Sequence, residues 1–130
     1  MNSQSIQVSA IVAMVIGAGV LHAAPRAIEQ LDAYRQQGIE QADAARGKQL
    51  WYAESNQRSC TNCHGEKPAN VGRHAKTGKS IEPMAPSLNP ARFQSAKKIE
   101  KWFLRNCKWT FGRECSTQEK ADILTWLAGQ

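Results

Sequence analysis

The residues with the clearest chemical potential in this 130-residue chain form one short motif, Cys60-Thr61-Asn62-Cys63-His64. Two thiols at this spacing can add across the two vinyl groups of one haem, and the histidine that follows can bind the iron from one side. The motif therefore predicts one covalently attached c-type haem. Cys60 and Cys63 are its expected attachment points, and His64 is its expected proximal ligand.

A pair of cysteines at this spacing also occurs in redox dithiols and in zinc sites. A zinc site needs a second pair of ligands, but the other two cysteines, Cys107 and Cys115, have seven residues between them. A thioredoxin-like dithiol belongs in a βαβ unit, and the chain shows no such pattern. The haem interpretation is therefore favoured.

The N-terminus carries an almost wholly apolar run, VSAIVAMVIGAGVL, at residues 8–21. Its length is typical of a secretory signal peptide and short for a membrane-spanning helix. We expect residues 1–24 to be a signal peptide and the remainder to be a periplasmic protein of a bacterium, without stable membrane insertion after cleavage. An uncleaved anchor is the alternative, because the first seven residues contain no Lys or Arg.

Cys107 and Cys115 would close a short loop of sequence KWTFGRE. In an oxidising compartment a disulfide is the simplest account of such a pair. Two free buried thiols are the alternative.

The chain is basic, with 17 Lys and Arg against 11 Asp and Glu and a formal net charge of +6. Residues 66–113 contain eleven of the basic residues and only three acids. A surface of this kind can steer an acidic redox partner toward the protein, although it can also be merely solvated. Nucleic acid is not an expected partner of an exported haem protein.

Helical signals dominate the chain, and no run of alternating apolar and polar residues is present, so the expected fold class is all-α. The expected helices are 25–37, ended by Gly38; one beginning near Asp43; about 95–107; and 116–128, which starts with a capping box. Residues 65–92 are rich in Gly, Pro, Lys and Ser, and we expect a loop that wraps the haem.

Two residues compete for the side of the iron opposite His64. Met84 lies in a Pro-rich loop, and its thioether would make a low-spin electron carrier, unless it only packs against the haem. Asn106 completes a helical face with Ile99, Trp102 and Phe103, which predicts that Trp102 contacts the haem. An amide in such an apolar site needs a partner, which is either a backbone group or the iron.

Several segments resemble known cytochromes. RGKQLW at 46–51 and LTWL at 124–127 are similar to the N-terminal and C-terminal helices of class I cytochromes c, which cross with the haem between them and a third helix. RNC at 105–107, GREC at 112–115 and EKAD at 119–122 resemble the sphaeroides haem protein family, as do TGKSI at 77–81, APS at 85–87 and EKW at 100–102. The resemblance covers residues 43–130.

This resemblance implies a small class I cytochrome c-like fold with one covalent haem. Residues 25–42 would be an N-terminal helical extension, and residues 43–130 the cytochrome c domain. It implies a high-spin haem with Asn106 as the distal ligand and a disulfide between Cys107 and Cys115 beside it. Family members can carry Leu where this chain has Met84.

The family resemblance also implies a function. The asparagine leaves the iron on reduction, which opens a site for oxygen, nitric oxide or carbon monoxide, and the electrons come from a multihaem cytochrome c and a membrane cytochrome b. We therefore expect a monohaem cytochrome that transfers electrons and binds small diatomics when reduced. The alternative is a low-spin electron carrier ligated by His64 and Met84.

An enzyme acting on oxygen, peroxide or nitric oxide is the least favoured function. No distal His and Arg constellation for peroxide cleavage is identifiable, since Arg73 and His74 lie in the loop without a predicted position. His74 is expected to be exposed, and it would ligate iron only if the loop folds back.

Overall fold

A computed structural model describes residues 25–130, so the predicted signal peptide lies outside the described residues. The elements in this part of the chain are α1 (Pro25–Gln36), α2 (Ala44–Tyr52), α3 (Thr61–His64), β1 (Gly72–Arg73), β2 (Ser80–Ile81), α4 (Ala96–Phe111) and α5 (Thr117–Ala128). The all-α prediction is confirmed. Between residues 25 and 130, no helix is long and apolar enough to cross a membrane.

Helices α2 and α5 cross at close range, as the cytochrome resemblance implied. Asp43 caps α2, and its carboxylate accepts hydrogen bonds from the backbone N–H groups of Ala45 and Arg46. Gly47 lies at the crossing, where a Cβ atom would be only 2.0 Å from the carbonyl oxygen of Asp122. Only glycine permits two backbones to approach this closely.

Helix α5 lies between two apolar clusters because both of its long faces are apolar. The first cluster joins α1, α4 and α5 and consists of Ala27, Leu31, Tyr34, Ile99, Ala121, Leu124 and Ala128. The second joins α2 and α5 and consists of Trp51, Ile123, Trp126 and Leu127. Phe93 and Phe103 pack against both clusters. The predicted extension 25–42 therefore contributes to the core through α1.

Helix α4 is longer than the sequence pattern predicted. It begins after its N-cap, Ser95, and continues past the expected end at Cys107 to Phe111. Gly112 then ends it in the left-handed region, with φ of 70°. The extra turn brings Cys107 and Cys115 within bonding distance, and the two form a disulfide.

A partly buried carboxylate, that of Glu100, fixes α4 against its neighbours. Glu100 accepts hydrogen bonds from Gln30 Nε2 at 3.0 Å and from the Tyr34 hydroxyl, both on α1. It also pairs with Lys120 of α5 at 2.8 Å. Burial and the neighbouring Glu100 raise the pKa of Tyr34 above its ordinary value. Because this network joins three helices, it restricts sliding of α4 along the core.

The loop predicted for residues 65–92 contains an unpredicted hairpin. Strands β1 and β2 pair antiparallel, with Gly72 opposite Ile81 and Arg73 opposite Ser80. Two-residue strands are too short to produce a recognisable alternation in the sequence.

Candidate haem site

The C-x-x-C-H motif forms α3 and the residue before it. Cys60 is the N-cap of this helix and His64 is its last residue. The segment is held by its own polar side chains, since Asn62 Oδ1 accepts a hydrogen bond from the backbone N–H of Ser59 at 2.5 Å. The short helix therefore presents Cys60, Cys63 and His64 from one compact turn.

Both cysteines of the motif are free thiols and half-buried. Burial raises the pKa of the Cys60 thiol to about 11, which is the opposite of what a reactive dithiol needs. Within residues 25–130, no group of three or more His, Cys, Asp or Glu could hold a metal ion.

The β-hairpin packs directly on the motif. A Cβ atom on Gly72 would be 2.2 Å from the carbonyl oxygen of Cys63. The backbone N–H of Ala75 points toward Cys63 Sγ at 3.4 Å. The hairpin thus helps to fix the position of the second thiol.

His64 is held as a neutral imidazole. Its ring lies 5.5 Å from the ring of Trp51, measured between centroids. Its Nδ1 atom is buried and has no hydrogen-bond partner among residues 25–130. Burial, together with the positive charge of Arg92, lowers the pKa of His64 to about 4. Neutral imidazole is the form that ligates iron.

Met84 is held close to the chain that leaves His64. The backbone N–H groups of Met84 and Ala85 both donate to the carbonyl oxygen of Pro68, at 2.8 and 3.0 Å. Pro68 follows His64 by four residues. The Met84 side chain packs on the cluster that contains Trp51, the neighbour of His64.

Asn106 is half-buried on the inward side of α4. Ile99 is buried on the same side, and Phe103 packs against both apolar clusters. Asn106 is followed directly by the disulfide residue Cys107. An amide is thereby fixed on a rigid helix beside apolar side chains.

Trp102, which the sequence pattern places on the same face of α4, lies outside the two apolar clusters. Trp102 is 49% exposed and belongs to neither apolar cluster. A helix turns by about 100° per residue, so Trp102 lies about 60° to one side of Ile99 and Phe103 about 40° to the other. The two apolar clusters cover the side of α4 that carries Phe103. A contact between Trp102 and haem stays a prediction.

Arg73 and His74 serve the hairpin turn. His74 Nδ1 accepts hydrogen bonds from the backbone N–H groups of Lys76 and Thr77, both at 3.2 Å. The Arg73 guanidinium donates to the carbonyl oxygen of Gly78 at 3.1 Å. Both side chains are exposed, as expected for His74.

The residues present fit a c-type haem. Two thiols suited to vinyl addition and a neutral imidazole leave the same short helix. Cys60, Met84, Phe93 and Phe103 all pack on one apolar cluster, which supplies the kind of surface that the flat apolar macrocycle needs. The buried Nδ1 of His64 makes no hydrogen bond within residues 25–130, so the ring is not committed to a protein partner and is available to bind iron.

The positions of two residues beside His64 were not predicted from the sequence. Trp51 was expected to face the core, but its contact with the His64 ring depends on the α2–α5 crossing. Arg92 reaches this region because its side chain is fixed by the carbonyl oxygens of Glu82 and Pro83. Neither contact has a periodic signal, since both join segments that are distant in the chain.

Comparison with known proteins agrees with this site. A family model described as a domain of unknown function, DUF1924, matches residues 37–127. Cytochrome c-type protein SHP of Cereibacter sphaeroides is 45% identical over 94 residues, which are 68% of this chain and 72% of SHP. Cytochrome c'' of Methylophilus methylotrophus is 42% identical over 69 residues, which are 53% of this chain and 48% of that protein.

The fold of this chain is also similar to that of solved cytochrome structures. The structure of oxidised SHP, an oxygen-binding cytochrome c, has a TM-score of 0.74 and 39% identity and covers 80% of this chain and 96% of that chain. Oxidised cytochrome c'' of Methylophilus methylotrophus has a TM-score of 0.67 and 30% identity, covering 78% of this chain and 92% of that chain. The fold of the described residues is thus a class I-like cytochrome fold. The chain belongs to the DUF1924 family and to the sphaeroides haem protein family of c-type cytochromes.

Proposed function

We propose that this protein is a periplasmic monohaem cytochrome c that transfers single electrons and binds small diatomic molecules when reduced. One haem is attached through Cys60 and Cys63, with His64 as the proximal ligand. Asn106 is the distal ligand of the ferric form. The haem supplies one-electron redox chemistry and, once reduced, a coordination position for oxygen, nitric oxide or carbon monoxide.

The observation that carries the proposal is the location of Met84. A sixth ligand must approach the iron from the face opposite His64. Met84 is instead tied through its backbone N–H to Pro68, in the chain that leaves His64. Asn106 lies on α4, a separate element with its own attachments to the core. This arrangement favours Asn106 over Met84 as the distal ligand.

The chemistry of an amide ligand fits a site that opens on reduction. An amide oxygen is neutral, hard and weakly bound, so ferric iron tolerates it better than the softer ferrous iron does. The Glu100 network and the Cys107–Cys115 disulfide hold the backbone of α4 in place. Asn106 would therefore stay beside the open position, where its NH2 group can donate a hydrogen bond to an incoming ligand.

The relatives support the same function. SHP, which is 39% identical in its solved structure, is described as an oxygen-binding cytochrome c. By the same family resemblance, a multihaem cytochrome c and a membrane cytochrome b are the proposed electron partners. The second candidate function is a low-spin carrier ligated by His64 and Met84. It is favoured by one observation, that Met84 packs on the same cluster as the haem-attaching Cys60.

The ferric absorption and electron paramagnetic resonance spectra of the holoprotein test the assignment. Asn106→Ala removes the proposed ligand and should change both spectra. Met84→Leu keeps the apolar volume and is the matched control, so it should leave both spectra unchanged. A spectrum that Met84→Leu alters and Asn106→Ala leaves intact would support the low-spin carrier instead. Retained covalent haem and helical circular dichroism show that each variant is folded.

A further inference from the structure

Three aromatic rings lie one after another beyond the ring of His64. The centroid of the Trp51 ring lies 5.5 Å from that of His64, and the centroid of the Trp126 ring lies 5.3 Å from that of Trp51. The Tyr52 ring follows, with its centroid 6.4 Å from that of Trp126. These separations are typical of aromatic rings that interact. We call Trp51, Trp126 and Tyr52 the aromatic array.

Helix geometry explains the order of these rings. Trp51 and Tyr52 are neighbours on α2, so their side chains leave the helix about 100° apart. Trp126 of α5 pairs with both rings and therefore bridges them where the two helices cross. Among residues 25–130, Tyr52 forms no ring pair with His64, so it is the outer end of the aromatic array.

The inner and outer rings of the aromatic array differ in their surroundings. Trp51 and Trp126 are buried by the protein itself, at 2% and 8% exposure, and both belong to the apolar cluster on which Cys60 packs. Tyr52 is exposed, and its hydroxyl donates a hydrogen bond to the backbone carbonyl oxygen of Glu66 at 2.8 Å. The array thus begins in the core beside the proximal ligand and ends at a phenol that can release its proton.

The ring types of the aromatic array suit the transfer of single electrons. Indole and phenol lose one electron more readily than the ring of Phe does, and an oxidised phenol also loses its proton. Because electron transfer slows steeply with distance, several short steps between neighbouring rings are faster than one long step. Tyr34, the second of the two tyrosines in the sequence, lies in the other apolar cluster and forms no ring pair among the described residues.

We propose that the aromatic array carries one electron from Tyr52 to the haem site when hydrogen peroxide oxidises the haem. This inference rests on the proposed function, because peroxide needs an iron position that only a weak ligand occupies. The O–O bond of peroxide breaks, and its oxygen atoms gain two electrons, one from the haem and one from Tyr52. The phenolic proton passes to water, which leaves a neutral tyrosyl radical. One oxidising equivalent is thereby moved away from the haem and His64.

Electron paramagnetic resonance of the ferric holoprotein, freeze-quenched after mixing with hydrogen peroxide, tests this proposal. We expect a tyrosyl radical signal in the wild type. Tyr52→Phe should abolish this signal. Tyr34→Phe is the matched control and should retain the signal in full. Because the sequence contains only these two tyrosines, the two variants assign the radical to one residue.

Two further variants test the path of the electron. Trp126→Phe and Trp51→Phe keep a ring in the core but replace indole by a ring that is not readily oxidised. Each should lose most of the tyrosyl signal although Tyr52 is still present. Trp109→Phe is the matched control, because Trp109 forms no ring pair within residues 25–130, and it should retain the signal. Retained covalent haem and helical circular dichroism show that each variant is folded.

Four results would overturn the proposal. They are a signal that Tyr34→Phe removes and Tyr52→Phe leaves, an unchanged signal in Trp126→Phe, a haem that peroxide oxidises without any tyrosyl signal, and a haem spectrum that peroxide leaves unchanged. Binding of carbon monoxide to the reduced holoprotein is measured in parallel. A haem that binds the gas but gives no radical on Tyr52 contradicts the electron path alone, whereas a haem that does not bind the gas contradicts the proposed function.

Discussion

At the scale of single residues, Gly47 has the clearest structural role. It lies where α2 crosses α5, and the nearest atoms to its missing side chain are backbone atoms of Asp122 and Ile123. Backbone atoms cannot move aside as a flexible side chain can. The distance between the two helices, and with it the position of Trp51 beside His64, therefore depends on the absence of a Cβ atom.

Gly47→Ala should be strongly destabilising. Its Cβ atom would be 2.0 Å from the Asp122 carbonyl oxygen, so the helices must separate and loosen the core, at a cost of at least about 3 kcal/mol. Denaturant unfolding of the holoprotein measures this loss. Gly129→Ala is the control, because its Cβ atom would meet nothing closer than 3.7 Å and should change stability by less than about 0.5 kcal/mol. Equal effects of the two substitutions would contradict this role of Gly47.

Single residues also show where sequence reasoning succeeds and where it ends. The capping box of Ser116 and Glu119 and the N-cap at Asp43 were predicted and are present. Such caps can be predicted because they join residues that are only two or three positions apart in the sequence. The exposed side of Trp102 was not predicted. Spacing along a helix tells which residues share a face, but the neighbouring elements decide which part of that face is covered.

At the scale of elements, the crossing of α2 and α5 is also held by a buried carboxylate. Asp122 accepts hydrogen bonds from the backbone N–H of Asp43 at 2.7 Å, from Arg46 Nε at 2.8 Å and from Gln118 at 2.9 Å. Its side chain is 3% exposed. Burial by itself would raise the pKa of Asp122, but these donors outweigh it and hold the pKa below the ordinary value.

The crossing should therefore weaken in acid. Because the folded pKa of Asp122 is depressed, its contribution is fully present above the unfolded pKa of about 3.9 and is lost as the pH falls through the lower folded pKa. Asp122→Asn should cost about 2 kcal/mol at pH 7, since the buried donors lose their charged acceptor. The difference from wild type should shrink below about pH 4.

Urea unfolding of the two holoproteins between pH 7 and pH 2 checks this expectation. Asp32→Asn is the control, because Asp32 forms an exposed pair with Arg35 on α1 and should contribute little at any pH. A wild-type to Asp122→Asn difference that is constant across this range would contradict the assignment.

The boundaries of helices and strands show a further limit of prediction from the sequence. The end of α4 was predicted at Cys107, but no stop signal occurs before Gly112, and the helix continues to Phe111. The hairpin of β1 and β2 was missed because its strands have two residues each. Its position against Cys63 depends on a close approach at Gly72, which only the folded chain reveals.

At the scale of the whole molecule, Asn106 lies on α4, an element separate from the short helix α3 that carries His64. The motif, the fold class and the pairing of Cys107 with Cys115 could be predicted from the sequence and its resemblances. The placement of Met84 beside Pro68 could not, because that backbone contact joins two loop segments that have no periodic pattern.

We propose that reduction opens the iron site opposite His64. The most direct measurement is the absorption spectrum of the purified holoprotein reduced with dithionite, recorded before and after addition of carbon monoxide. We expect a broad high-spin ferrous spectrum that shifts sharply when the gas binds, because Asn106 no longer occupies the iron. Sharp low-spin ferrous bands that carbon monoxide does not move would contradict the claim and identify a strong distal ligand, with Met84 as the candidate.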